Sequence, residues 1–271
     1  MAIVNNHKKE EREKCLIINQ QLPPPEREFK IKNGFTLAEV LITLGIIGVV
    51  AALTLPTLIQ NYQKFVTVNR LKKEYSVISN AFITSQEENG EMNTWGMGNL
   101  GNTTDGVKVL IPFYQNYIVK YLDVADDCGV SCIKQKHVKR YRLNGATWNW
   151  YDYAYYIIYL KDGAVIAFMT DNDSVVWTTV RIYVDINGDR GPNVSGKDIF
   201  TILLEINGDS ALKLSGITTI RSTKDRNSLL GNCRECCSKK VTSTEIHSYA
   251  GDYCAGLIQY DGWKISKDYP W

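Results

Sequence analysis

The residues best able to do chemistry fall in three places, and the first is an aspartate-rich loop. Asp185, Asn187 and Asp189 alternate in Asp-Ile-Asn-Gly-Asp, and Asn193 and Asp198 follow. Oxygen donors at one-residue intervals in a turn suit Ca²⁺, a hard cation that gathers about six to eight oxygens. The spacing is not that of an EF-hand, because the glycine comes too early and Gly196 stands where a bidentate Glu is needed. A plain turn is the alternative, and Glu205-Ile206-Asn207-Gly208-Asp209 repeats the pattern where a simple hairpin would fit. Overlapping the loop, Gly191 to Asp198 nearly spells a phosphate-binding P-loop. Asp198 stands where Mg²⁺ needs a hydroxyl, and the IFTILLEI that follows reads as strand rather than helix, so that chemistry is excluded.

The second place is the cysteines. Cys233-x-x-Cys236-Cys237, with His247 and Cys254, could be drawn as a zinc site. Cys15 lies ahead of the long apolar stretch, and the six cysteines beyond it, Cys128, Cys132, Cys233, Cys236, Cys237 and Cys254, make an even set, which suits a framework oxidised outside the cytoplasm. The expected outline is Cys128 with Cys132, and one of Cys233, Cys236 or Cys237 with Cys254, pinning a tail that has no clear periodicity. Third, Trp148, Trp150, Tyr151, Tyr153, Tyr155, Tyr156 and Tyr159 could stack glycans or single strands. Aromatics at period two more often pack across strands. For catalysis the chain offers three histidines, one of them His7, and neither a nucleophile elbow nor a metalloprotease helix. It reads as a non-enzyme.

Of 271 residues, 44% are hydrophobic and 22% charged, which excludes wholesale disorder. A net charge of +2 gives no indication of nucleic-acid binding through bulk electrostatics. The apolar residues are unevenly spread. Phe35 to Ile59 carries a single charged side chain, Glu39, and as helix it would extend roughly 37 Å, enough to cross a hydrocarbon core. That is too long for the apolar region of a secretory signal. A carboxylate in such a helix is costly and marks a function whose partner must be named. No basic residue lies between Phe35 and Lys64, but a cut just before Phe35 would create a free amine. Loop charge does not set the orientation, since Arg27, Lys30 and Lys32 on one side face Lys64, Arg70, Lys72 and Lys73 on the other.

Lys32-Asn33-Gly34 followed by Phe35-Thr36-Leu37-Ala38-Glu39-Val40-Leu41 resembles the processing site of type IV prepilins and type II secretion pseudopilins. The resemblance implies cleavage after Gly34 by a prepilin peptidase and methylation of the new terminus at Phe35. Glu39 would neutralise the amine of a neighbouring subunit, and Gly48 and Pro56 would be helix-loosening positions in the fibre. It implies a protein that spans the inner membrane once, with residues 1–34 as a cytoplasmic leader, long for this family, and an exported head. Its partners would be the peptidase, lipid before assembly, an inner-membrane assembly platform and other pilin or pseudopilin subunits in a helical filament. Some pseudopilins also carry a calcium loop beside the sheet. The alternative from another class is an uncut single-pass protein whose exported head binds a ligand, such as a carbohydrate on the aromatic strand.

Past the membrane segment, Tyr62, Phe65, Val68, Leu71, Tyr75, Ile78 and Phe82 recur every three or four residues. They form one apolar stripe, with Lys64, Arg70, Lys73 and Glu74 expected on other faces. This amphipathic continuation, residues 60–88, should stop at Asn89-Gly90. The head, residues 89–271, opens with a loop and a short helix over Val107–Leu122. Period-two strands follow over Tyr153–Lys161, Ala164–Thr170, Val175–Ile186 and Asp198–Ile206, with tight turns at Asp162-Gly163 and Asn207-Gly208, the latter leading into Ser210–Leu214. The expected fold is α+β: a long N-terminal helix whose second half covers one face of an antiparallel meander, with a disulfide-pinned C-terminal tail.

Overall fold

A computed structural model describes residues 34–95, 104–151, 155–174, 177–207, 216–219, 225–241 and 249–271. The chain divides after Leu55 into two compact units. Helix α1, Leu37–Asn89, runs through both and contains Pro56. It stops where the sequence places its C-terminal signal, at Gly90, which has φ +80°.

In the second unit, α2 (Thr104–Tyr117) is followed by β1 (Val124–Val130), β2 (Arg140–Tyr141) and β3 (Thr147–Trp148). Next come β4 (Tyr156–Leu160), β5 (Val165–Ser174), β6 (Trp177–Asp185), β7 (Ile199–Asn207) and β8 (Gly216–Thr218). Two short helices close the chain, α3 (Arg226–Leu230) and α4 (Cys254–Tyr260). The main sheet has six strands in the order β1-β4-β5-β6-β7-β8, all neighbours antiparallel, and β2 pairs with β3 apart from it. The expected meander of strands is therefore present and larger than foreseen. The turn at Asp162-Gly163 joins β4 to β5, whereas Tyr153, Gly208 and Ser210–Leu214 lie outside the described residues.

The sheet is covered on both faces, which the sequence reading did not anticipate. Tyr156, Ile158, Ile166, Phe168, Ile182, Val184, Phe200 and Ile202 point to a core that includes Leu71, Ile78 and Phe82 of α1. The alternate residues Ile157, Val165, Ala167, Tyr183 and Ile199 pack instead with Cys132, Trp148 and Trp150. The runs YIIYL and VIAF already carried this signal, since unbroken apolar strands are buried on both sides. Burying each large side chain of these layers contributes roughly 1.5–3 kcal/mol as an upper estimate.

The helix stripe is corrected in two respects. Tyr62 and Phe65 are exposed, so the packed face begins at Val68 and continues through Leu71, Ile78 and Phe82, with Tyr75 against the ring of Trp263. Glu74, expected on another face, is buried on the packed one. Lys73 makes this tolerable: its Nζ lies 3.4 Å from Glu74 Oε1 and pairs with Asp162 at the β4–β5 turn. Burial pushes the Glu74 carboxyl up to about 7; Asp162 adds to the rise and Lys73 opposes it. The folded chain thus holds this proton more tightly than the unfolded one. Its stabilising effect is full below the ordinary carboxyl pKa and is lost as pH climbs towards about 7. Glu74→Gln should match the parent near pH 4.5 and exceed it at pH 8 by about 2–3 kcal/mol in urea unfolding. Parallel pH profiles for the two proteins would contradict this.

Candidate functional site

The Asp185 loop joins β6 to β7 and is fixed by its own backbone chemistry. Asp198 accepts the N–H groups of Asn193 and Val194, both at 2.7 Å, which closes the turn ahead of β7. Asn187 Nδ2 donates to the carbonyls of Arg190 (2.8 Å) and Gly191 (3.3 Å), and Asn193 Nδ2 donates to those of Lys139 and Asp189. Two glycines are sterically required. A Cβ on Gly188 would come within 2.6 Å of the Gly163 carbonyl, and one on Gly196 within 2.6 Å of Cys254 Sγ. In the P-loop-like stretch Gly196 is thus a packing requirement, whereas a Cβ at Gly191 would meet nothing within 4 Å, and the stretch leads into a strand.

Of the five residues put forward as calcium ligands, Asp189 and Asp198 are committed to protein donors. Asp189 accepts from Gln135 Nε2 (2.8 Å), Tyr159 OH (3.1 Å) and Arg140 Nη2 (3.0 Å). Asp185 is fully buried, with Oδ2 3.5 Å from Arg140 Nη2. Burial raises the Asp185 carboxyl well above its usual range, with the Arg140 guanidinium opposing and the Asp198 carboxylate adding to the rise. Asp185 Oδ2, Asn187 Oδ1 and Asn193 Oδ1 are buried without a hydrogen-bond donor, and so are Nε and Nη1 of Arg140 without an acceptor. Among the described residues no three acidic, histidine or cysteine side chains group as a metal would need. The donor set fits calcium poorly, because a guanidinium stands among its carboxylates. Arg140 carries no motif, and only its place in a strand opposite the aromatic run could have drawn attention to it.

The cysteines pair as Cys128–Cys132, Cys233–Cys236 and Cys237–Cys254. This agrees with the expected outline, selects Cys237 as the partner of Cys254 and uses the thiols that zinc would require. His247 lies outside the described residues. Four members of the aromatic run are packed inside, while Tyr151 and Tyr159 are partly exposed. Trp148, Trp150, Tyr155 and Tyr156 are all 5% exposed or less, their rings packing on one another, on Tyr183 and on Tyr114. Tyr153 lies outside the described residues.

In the first unit, Gly34 and Phe35 are exposed just ahead of α1. Thr36 and Glu39 form a reciprocal capping box. Thr36 N–H donates to Glu39 Oε2 at 2.8 Å, and Glu39 N–H donates to Thr36 Oγ1 at 3.2 Å. The hydroxyl of Thr36 also donates to Glu39 Oε2. Glu39, which had no visible mate in the sequence, thus has a local one at a helix N-terminus, where a carboxylate is favoured. Leu41, Ile42, Leu44, Ile46, Ile47, Val49, Val50 and Leu53 are all at least half exposed among the described residues. A Cβ at Gly48 would meet nothing within 4 Å. Helix α1 is long and apolar enough to cross a membrane.

Residues 30–55 match the prokaryotic N-terminal methylation motif, the prepilin-type cleavage and methylation signal of pilins and pseudopilins. Residues 57–271 match a family of unknown function, DUF6613. The chain belongs to that family. No curated protein and no solved structure matches it.

The DUF6613 region holds a second charged centre that sequence reading missed. Asp252 is buried and accepts from Arg142 Nη1 (2.9 Å) and Arg181 Nη1 (2.8 Å), each guanidinium being almost wholly buried. Arg142 stacks 3.5 Å from the Trp148 ring, and Arg181 lies 4.3 Å from that of Tyr249. Glu235 Oε1 is 4.0 Å from Arg181 Nη2. The arrangement ties β6, the segment after β2 and the C-terminal tail together through one carboxylate. Its chemistry is structural, because every charge in it is matched and packed.

Proposed function

We propose that this chain is a pilin or pseudopilin: a precursor cut after Gly34 by a prepilin peptidase, methylated at Phe35 and assembled as a structural filament subunit. The observation that carries the reading is the coincidence of the methylation motif with an apolar helix whose side chains are exposed among the described residues. Lipid before assembly, and the helices of other subunits after it, supply their cover. The capping box bears on how assembly would work. It occupies Glu39 Oε2, while no donor among the described residues reaches Oε1. That oxygen is left to accept the terminal amine of a neighbouring protomer, and because Thr36 lies after the cut, the box survives processing. Disulfides in the DUF6613 head support its export to an oxidising compartment.

Intact mass spectrometry of chain extracted from membranes tests the reading directly. The filament subunit should have lost residues 1–34 and gained one methyl group. A full-length, unmethylated chain would favour an uncut anchor and sink the proposal.

A further inference from the structure

We propose that the cation serving the Asp185 loop is the Arg140 guanidinium, and that removing it uncovers a Ca²⁺ site. Arg140 lies on β2, its side chain completely buried and its guanidinium 3.8 Å from the Trp150 ring centre. A flat, delocalised cation tolerates such a dry, aromatic setting better than a strongly hydrated one. From there Nη2 reaches Asp189 Oδ1 at 3.0 Å and Asp185 Oδ2 at 3.5 Å, bringing one positive charge to the two carboxylates of Asp-Ile-Asn-Gly-Asp. The strand carrying it is sewn to the loop, since Tyr141 N–H donates to the Asn193 carbonyl and Ser195 N–H to the Tyr141 carbonyl, both at 2.9 Å. The guanidinium is thus delivered by backbone pairing.

The unpaired atoms argue in the same direction. A metal ion satisfies oxygens only, whereas this site leaves both kinds of group open: oxygens on Asp185, Asn187 and Asn193, and N–H groups on Arg140. Water serves both, donating to the former and accepting from the latter. A divalent ion would meet the guanidinium's charge at close range, where the low dielectric makes like charges costly. Without that guanidinium the balance reverses. Asp185 and Asp189 then lose their shared counter-charge, Asp189 keeping only the neutral donors Gln135 and Tyr159, and with the Asn187 and Asn193 amide oxygens they make a set to which Ca²⁺ could add water.

The test uses the full chain in detergent micelles, following the near-ultraviolet circular dichroism of its tryptophans on heating in Ca²⁺ or in EGTA. The wild-type midpoint should differ by less than about 1 °C between the two. Arg140→Met should fall by about 10 °C in EGTA and regain at least half of that in millimolar Ca²⁺, because the fully buried Asp185 and the part-exposed Asp189 lose their counter-charge. Arg140→Lys, which keeps the charge, should stay insensitive to Ca²⁺. A wild-type midpoint that rises with Ca²⁺, and loses the rise in Asp185→Asn, would overturn the proposal. So would an Arg140→Met chain that folds and ignores Ca²⁺. Should Arg140→Met fail to fold, the wild-type comparison still decides whether Arg140 or a metal holds the loop.

Discussion

Asp252→Ala is expected to destabilise the head by about 3–5 kcal/mol, the cost of leaving buried charge without its partner. Arg142 and Arg181 would both lose their carboxylate while remaining buried among Trp148, Tyr183 and Tyr249. Glu235 lies 4.0 Å from Arg181, at the limit of an ion pair, and is a weaker partner than Asp252. Folded domains are stable by only about 5–15 kcal/mol, so the variant should lie near its unfolding midpoint at moderate urea. Asp252→Asn keeps an acceptor and should lose less. Equal midpoints for Asp252→Ala and wild type in urea titrations would show that water can replace the carboxylate.

The second large effect concerns assembly. Glu39→Ala should be processed normally yet be depleted in sheared filaments by at least about tenfold, equivalent to losing roughly 1.4 kcal/mol or more of charge pairing per subunit. The Ala variant also loses the capping box with Thr36. Glu39→Gln separates the two roles, because its amide oxygen still accepts the Thr36 N–H while the negative charge is gone. If pairing with a neighbour's amine drives assembly, Gln should fail as Ala does. Normal incorporation of Glu39→Gln would assign Glu39 to capping alone. Gly34→Ala is the upstream control: it should remain at precursor mass on co-expression with a prepilin peptidase, and wild-type mobility would contradict cleavage at that bond.

Much of the fold was readable because it rests on local rules. The end of α1 at Asn89-Gly90 needs only a residue tolerant of positive φ, and the turn at Asp162-Gly163 needs the same. The short spacing between Cys128 and Cys132 limits how far apart they can lie, which is why that pair was legible. Cys237 could not be chosen over its neighbours for Cys254, since Cys233, Cys236 and Cys237 are nearly equivalent in sequence distance. Glu74 was misplaced for a related reason. Helical spacing assigns a residue to a face but does not say that Lys73 and Asp162 will gather there to make a buried carboxyl acceptable.

By itself, the sequence determined that the chain carries an apolar helix with one carboxylate inside a prokaryotic N-terminal methylation motif, and that a disulfide-bearing α+β fold follows. Those features depend on residues close together in the chain: a run of side chains that water rejects, a short contiguous motif, alternation at period two. Only the tertiary structure decided what the charged and polar residues do. Arg140 meets Asp185 and Asp189 from about fifty residues away, and Arg142 meets Asp252 from 110. Both meetings are possible because the second face of the sheet is covered by a segment that brings guanidinium groups under aromatic rings. No local preference encodes such an encounter, since the attraction that offsets the cost of desolvating both charges exists only when they are buried together. That requirement is satisfied only after β2, β6 and the C-terminal tail have packed.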